Sequence, residues 1–341
     1  MPYQVTFNPY CLKFKFTART SRGVMNEKRG YFVTVISNKQ KGTGECSFIE
    51  GLSCDRFEHY ESTLKDIEKQ PDFYIENLHR SLIQFPSIRF GLEMALCHLQ
   101  HNGQYYFPNL FTEGAYGIPI NGLVWMNDIE DMLREAFEKI EAGFRCIKIK
   151  VGALDFKSEV SLLEKIRNHY NEEKVEIRLD ANGAFNAHNV FNNLKILSSF
   201  HIHSIEQPVK PGQYDLMREV CASGIIPVAL DEELIGIHDT ARKSEVLKYL
   251  KPSYIVLKPS LLGGFMSCDE WIALAEKFGI GWWATSALES NIGLSAIAQW
   301  VACKNISIPQ GLGTGGLYEN NVPAETFIKD GALWFKKDKV D

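Results

Sequence analysis

The sequence predicts an α/β protein: a closed barrel of about eight strand–helix units, preceded by an α+β domain. Three observations lead there. From about Gly117, short apolar runs alternate with amphipathic segments at a pitch of roughly 25–30 residues, the length of a strand plus a crossover helix. Before that point the order is strands, then helices, as in an α+β unit. Finally, successive apolar runs in the middle of the chain end on lysines or carboxylates. An open doubly wound sheet is the competing arrangement of the same units.

The first forty residues alternate apolar and polar, as Tyr3-Val5-Phe7, Leu12-Phe14-Phe16 and Tyr31-Val33-Val35, and predict antiparallel strands. Between the last two lie Arg19 to Gly23 and Asn26 to Gly30. That polar, glycine-bearing stretch reads as a mobile loop over 19–30, or as a plain hairpin connection. From Arg56 to about Leu99 the periodicity turns helical. The barrel runs follow: Ile118–Met126, Cys146–Val151, Val175–Leu179, Ile202–Glu206, Ile226–Leu230, Tyr254–Lys258 and Ile280–Thr285, with a weaker one at Ile306–Gln310. Three regions result: an α+β domain over 1–115, a barrel over 116–310, and a return over 311–341 that packs back on the first domain.

The 341 residues carry a net charge of −5 and are 45% hydrophobic, a composition that predicts a soluble protein. No basic stripe points to nucleic acid or an anionic membrane. The N-terminus lacks a secretory signal pattern, and no apolar window is long enough to span a bilayer. The eight cysteines are scattered singly, without C-x-x-C, as expected of reduced thiols in a cytoplasmic protein.

Chemistry concentrates at the ends of the barrel runs. In Cys146 to Gly152, strand alternation puts Ile147, Ile149 and Val151 on one face and Lys148 and Lys150 on the other. Two lysines on an edge strand in water is the bland reading. The next runs end at Asp180, Glu206, Asp231 and Lys258. In a barrel, those ends form one ring at the face where this fold keeps its sites. Three carboxylates on one side of a cavity repel unless a hard cation holds them. Oxygen-only donors select Mg²⁺, or Mn²⁺, over zinc. The lysines flank the carboxylates, so each can reach a bound substrate from its own side. A lysine close to another cation is expected to lose its proton more readily, and Lys148, Lys150 and a metal form such a group. A neutral lysine can take a proton from carbon while a metal stabilises the enolate.

At these residues the chain resembles the enolase superfamily, in its branch with Lys-x-Lys on the second barrel strand (Lys148, Lys150) and a lysine on the sixth (Lys258). Asp180 to Gly183, Glu206 to Pro208, and Asp231 with Glu232 look like its metal-ligand segments. The resemblance implies a (β/α)7β TIM-like barrel with an α+β N-terminal capping domain completed by the C-terminal tail. It also implies Mg²⁺ on Asp180, Glu206 and Asp231. Within that branch, Ser286 to Gln299 and Gln310 to Thr314 are similar to the o-succinylbenzoate synthase family. That likeness implies a small-molecule carboxylate substrate and loss of water from a cyclohexadiene carboxylate to give o-succinylbenzoate, a menaquinone precursor. Lys150 would take the α-proton and then assist hydroxide departure. Lys258 would contribute charge from the other side. Lys148, Asn182, Ser286 and Gly313 would contact substrate, with Ser286 and the start of the following helix receiving a carboxylate. Rival activities on the same ring are dipeptide epimerisation, N-acylamino acid racemisation and cycloisomerisation. A barrel that binds a ligand without turnover is a rival of another class. The 19–30 stretch is the expected lid.

Three features are read as decoys. Gly311 to Gly316 fits G-x-G-x-x-G, but no helical pattern follows it, so it reads as a rim loop rather than a dinucleotide site. His201 and His203 precede their apolar run without partners. Trp282 and Trp283 read as barrel wall.

Overall fold

The alternation in the first forty residues builds one long hairpin rather than three short strands. In the computed structural model, which describes residues 2–20 and 23–336, β1 (Gln4–Thr20) pairs antiparallel with β2 (Gly23–Ser37), with an irregular register between Lys13 and Ala18. Pro9 is tolerated because β1 is an edge strand. The expected loop over 19–30 is therefore mostly strand: Ala18 pairs with Met25, Arg19 with Val24 and Thr20 with Gly23. Its polar residues are explained by an arm that reaches beyond the sheet core. Residues 21 and 22, inside the expected lid, lie outside the described residues.

A third strand, β3 (Gln40–Ser47), pairs with β2. Its inner positions Gly42 and Gly44 disguised it in the sequence. A Cβ at either would collide with the backbone of the helix packed over it, at Ala95 and Gly91. That helix is α4 (Pro86–Gln100), and it follows α1 (Tyr60–Lys69), α2 (Pro71–Glu76) and α3 (Leu78–Ser81). Val33, Val35, Ile67, Ile88 and Leu92 form the core between sheet and helices.

Beyond β4 (Ile118–Pro119) the strand–helix units run as expected: β5 (Gly122–Val124), α5 (Ile129–Glu141), β6 (Cys146–Lys150), α6 (Phe156–His169), β7 (Glu176–Asp180), α7 (Val190–Ser198), β8 (Ile202–Glu206), α8 (Tyr214–Ser223), β9 (Val228–Leu230), α9 (Thr240–Leu250), β10 (Tyr254–Leu257), α10 (Pro259–Leu262), α11 (Phe265–Lys277), β11 (Gly281–Ala284) and α12 (Asn291–Ala302). Strands β5 to β11 make a seven-stranded parallel sheet in serial order. Parallel bridges Ile120–Gln310 and Thr285–Gly311 close it, with Asn121 N–H donating to Gln310 O at 2.9 Å and Gly311 N–H to Ala284 O at 2.8 Å. The weak run at 306–310 thus supplies a minimal eighth strand, and the open-sheet alternative falls.

Strands β12 (Thr326–Lys329) and β13 (Ala332–Phe335) form a hairpin, and β13 pairs with β4. Just before them, residues 317–319 run against β1, with Lys15 N–H on Leu317 O and Glu319 N–H on Lys13 O, both at 2.9 Å. Among the described residues, no helix is long and apolar enough to cross a membrane.

Two acids of the first domain seat it on the barrel. Glu45, fully buried on β3, sits at the N-terminus of α12. One of its oxygens accepts from Tyr10 Oη at 2.5 Å and Ser290 N–H at 2.9 Å. The other accepts from Ser290 Oγ at 2.5 Å and Gly293 N–H at 2.9 Å. Glu93 on α4 accepts from Phe265 N–H at 2.6 Å and Met266 N–H at 2.9 Å, at the start of α11. Each places negative charge where a helix exposes unpaired N–H groups and its positive dipole end. Arg89, one turn earlier on α4, donates to Gly263 O.

Candidate active site

The parallel register aligns the strand ends. Lys150 pairs with Asp180, and Asp180 with Glu206. Asp231 and Lys258 follow directly on β9 and β10. Asp180, Glu206 and Asp231 are each 2% exposed and Lys148 is 8% exposed, so the solvated edge-strand reading is excluded. Lys148 Nζ lies 2.7 and 2.6 Å from the two oxygens of Glu206 and 3.0 Å from Asp180 Oδ2. Lys150 Nζ donates to Asn182 Oδ1 at 2.7 Å and lies 3.5 Å from Asp180 Oδ2. Lys258 pairs directly with Asp231.

Burial favours the neutral form of every group here, and the charges around each group decide the outcome. Burial pulls the Lys148 ammonium down, but Asp180, Glu206 and Asp231 outweigh it and raise its pKa. The charges nearest Lys148 are the carboxylates of Glu206 and Asp180 rather than Lys150. Lys258 is likewise raised: burial opposes, and Asp231, Glu232 and Glu206 prevail. For Asp180, burial pushes upward, and Lys148, Lys150 and Lys258 hold the carboxyl well below the usual range. Asp231 goes the other way. Burial, then Glu232 and Glu206, raise it well above the usual range against the pull of Lys258.

This is the signature of excess negative charge: Asp180, Glu206, Asp231 and Glu232 face Lys148, Lys150 and Lys258. Buried, oxygen-only donors in excess suit a hard divalent cation. Among the described residues no three His, Cys, Asp or Glu form a ready-made metal group. Lys148 and Lys258 take the carboxylate oxygens instead.

Asn182, expected to touch substrate, has both ends of its amide engaged by protein. Oδ1 accepts from Lys150, and Nδ2 donates to Glu232 Oε1 at 3.0 Å. Ser286 lines the pocket, as do Gly313 and Thr314. Its hydroxyl donates to Glu289 Oε2 at 2.7 Å and accepts from Thr314 Oγ1 at 2.8 Å and Leu288 N–H at 3.0 Å. One hydrogen and both lone pairs are therefore used. The start of α12, expected to receive a substrate carboxylate, is already filled by Glu45. The Asn291 and Ile292 N–H groups go to Asn321 Oδ1 and Ser290 Oγ.

Other residues shape the site without a sequence signal of their own. Gln207, fully buried with φ +40°, accepts from Asp231 N–H at 3.2 Å and Glu233 N–H at 3.3 Å, joining the ends of β8 and β9. Glu159 on α6 takes the N–H groups of Gly152, Ala153 and Leu154 at 2.8–3.1 Å, which fixes the turn after Lys150. The side facing the first domain is apolar, with Met25, Ile49, Leu52, Trp125 and Leu288, and Glu50 stands at its edge. The decoys stay decoys. Gly311 closes the barrel against Thr285. His203 stacks near Tyr254 at 5.0 Å, and Arg178 lies over the buried Trp283 ring at 4.3 Å. Exposed His201 faces Glu172.

A capped β/α barrel with this ring at the strand ends is the architecture of one large enzyme family. Residues 131–338 match the enolase C-terminal domain-like family, and the chain belongs to it. Its sequence is 42% identical to the o-succinylbenzoate synthase of Desulfotalea psychrophila, over 94% of this chain and 96% of that protein. The crystal structure of MenC from Desulfotalea psychrophila superposes with a TM-score of 0.87 at 38% identity, covering 97% of this chain and 99% of the other. A more distant relative, the N-succinyl-L-Arg/Lys racemase of Bacillus cereus, is 28% identical over 77% of this chain and 74% of its own length.

Proposed function

We propose that the protein is an o-succinylbenzoate synthase, a hydro-lyase that converts 2-succinyl-6-hydroxy-2,4-cyclohexadiene-1-carboxylate to o-succinylbenzoate, a menaquinone precursor. The observation that carries this reading is 42% identity to a synthase across nearly the whole of both chains. Lys150 Nζ takes the proton α to the ring carboxylate. The electron pair left on carbon is delocalised into that carboxylate as an enediolate. Protonated Lys150, on the same face, then returns the proton to the departing hydroxide, and water leaves as the ring becomes aromatic. Lys258, across the carboxylates on β10's end, contributes positive charge from the other side. Asp180, Glu206 and Asp231 are the residues that would hold Mg²⁺, or Mn²⁺. When bound, the ion supplies positive charge against the developing enediolate.

The apolar wall of Met25, Ile49, Leu52, Trp125 and Leu288 suits a hydrocarbon ring. The test is conversion of the cyclohexadiene carboxylate by purified protein with Mg²⁺, followed by absorbance of the aromatic product. No product would end the synthase reading. A second reading, racemisation of an N-succinylamino acid, is favoured by one observation: Lys150 and Lys258 lie on opposite sides of the carboxylates. Deuterium uptake into both enantiomers of such a substrate from D₂O is its readout.

A further inference from the structure

We infer that Asn121 recognises the succinyl chain of the substrate, its amide NH₂ donating to a carbonyl or carboxylate oxygen of that chain. The inference rests on the proposed reading of the pocket as a site for a succinyl-bearing carboxylate. It names the group that reads the part of the substrate remote from the bonds that break.

The ring of strands divides the pocket in two. Asp180, Glu206 and Asp231 stand at the ends of β7, β8 and β9, and the lysines of β6 and β10 flank them. These groups are taken up by the reacting carboxylate and its α-carbon. The oxygens of the succinyl chain need partners elsewhere, and the wall opposite is made by β11, the minimal eighth strand and β5. Asn121, Thr285, Ser286 and Thr314 are polar side chains of that wall and line the pocket.

A ketone or carboxylate oxygen only accepts hydrogen bonds, so the wall must supply a donor. Its three hydroxyls have already spent theirs. Thr285 Oγ1 donates to Gly311 O at 2.9 Å, Thr314 Oγ1 to Ser286 Oγ at 2.8 Å, and Ser286 Oγ to Glu289 Oε2 at 2.7 Å. Asn121 differs. It is only 4% exposed, yet its amide has no hydrogen-bond partner among the described residues. Buried amides are normally paired, so an unpaired one lining a pocket is a group kept for a ligand.

The backbone aims it. Leu123 pairs with Lys148 across the parallel ladder, and alternation puts Asn121 on the same inward face. Asn121 N–H donates to Gln310 O at 2.9 Å, which anchors the backbone to the eighth strand. The amide itself, with no protein partner to set its sense, is oriented by what it binds. A neutral donor also suits this wall better than a cation. A lysine or arginine here would offer the reacting carboxylate a second seat and favour a reversed pose, whereas an amide reads an oxygen without competing for that carboxylate.

The experiment is calorimetric binding to wild type and Asn121→Ala, with Mg²⁺, of o-succinylbenzoate and of 2-butylbenzoate, which keeps the ring carboxylate and chain length but has no chain oxygen. The Kd of o-succinylbenzoate should rise roughly 5–100-fold in the variant, the loss of one such hydrogen bond, while that of 2-butylbenzoate changes less than about twofold. On the cyclohexadiene substrate KM should rise with kcat within about threefold, as for binding shared by ground and transition states. Because the side chain bonds nothing in the protein, the melting point should stay near that of wild type. An o-succinylbenzoate Kd within twofold of wild type overturns the inference, and so does an equal loss for both ligands, which would mean general damage to the pocket. If Asn121→Ala does not fold, the near-isosteric Asn121→Leu is read by the same comparison. Wild type that binds no o-succinylbenzoate also overturns it. Wild type that binds o-succinylbenzoate without converting the cyclohexadiene carboxylate defeats the synthase reading alone, and the binding comparison still decides the role of Asn121.

Discussion

Glu45→Gln tests whether the first domain is seated by charge at a helix end. The substitution keeps shape but replaces one carboxylate oxygen by NH₂. Each oxygen of Glu45 now accepts two hydrogen bonds, from Tyr10 Oη and Ser290 N–H or from Ser290 Oγ and Gly293 N–H. Whichever oxygen is replaced, two donors meet a donor in a site with no solvent exposure. Leaving a buried donor unsatisfied costs about 1–3 kcal/mol, and hydroxyl rotation relieves part of it, so the pair costs about 2–5 kcal/mol. Removing the charge from the start of α12 adds about 0.5–1 kcal/mol. The sum, about 3–6 kcal/mol, is a large share of the roughly 5–15 kcal/mol that holds a typical domain folded. At about 2 °C per kcal/mol, the figure for large domains, Tm falls by about 6–12 °C. Scanning calorimetry of both proteins at pH 7 reads it. A melting point within about 1 °C of wild type would refute the reasoning, since the Glu45 charge would then be dispensable at α12.

Gly152→Ala should cost about 2–4 kcal/mol, because φ is +88° and the new Cβ collides with Ala184; an unchanged urea midpoint would contradict this. His238 is pushed down from 6.5 to about 4 by burial first, with Arg89 and Lys243 adding to it. Its folded form is therefore neutral, and the stability it contributes is present above about pH 6.5 and lost as pH falls toward 4. The urea midpoint of wild type should drop across that window more steeply than that of His238→Gln. Chelation with EDTA should abolish turnover, and Mg²⁺ or Mn²⁺ should restore it; activity that persists in EDTA would remove the metal from the reaction. Lys150→Ala should lower kcat by about 10²–10⁴, the usual contribution of a general base, and a variant with near-normal rate would displace Lys150 from that role.

The barrel was legible because its signal is serial. Each apolar run is buried on both faces and ends where polar residues can point into one opening, so Lys148, Lys150, Asp180, Glu206, Asp231 and Lys258 could be read in order. The first domain was harder. β3 hides behind Gly42 and Gly44, which are there for helix approach and carry no alternation. The 19–30 stretch reads as loop because Val24 and Met25 are its only apolar residues, the arm's apolar face being carried mainly by the partner strand at Leu12, Phe14 and Ala18. What the sequence could not disclose is pairing at long range. Glu45 meets Ser290 across 245 residues, and Glu93 meets Phe265 across 172. An isolated glutamate in a strand or helix looks like solvated surface. Ser286 is a mixed case: Leu288 and Glu289, which engage its hydroxyl, lie two and three residues on, and only Thr314 comes from afar.

The glycines at the seam set how this protein can be inherited. Gly264 and Gly293 each forgo a side chain where a carboxylate from the other domain arrives: a Cβ at Gly293 would lie 2.8 Å from Glu45 Oε2, and one at Gly264 would collide with Glu93. Acid and glycine are matched parts encoded far apart in the gene. A crossover between relatives that separates them would join a buried charge to a blocked helix end. Chimeras exchanging the first domain alone should therefore be recovered folded only when the incoming domain carries both acids and the barrel that receives it keeps both glycines.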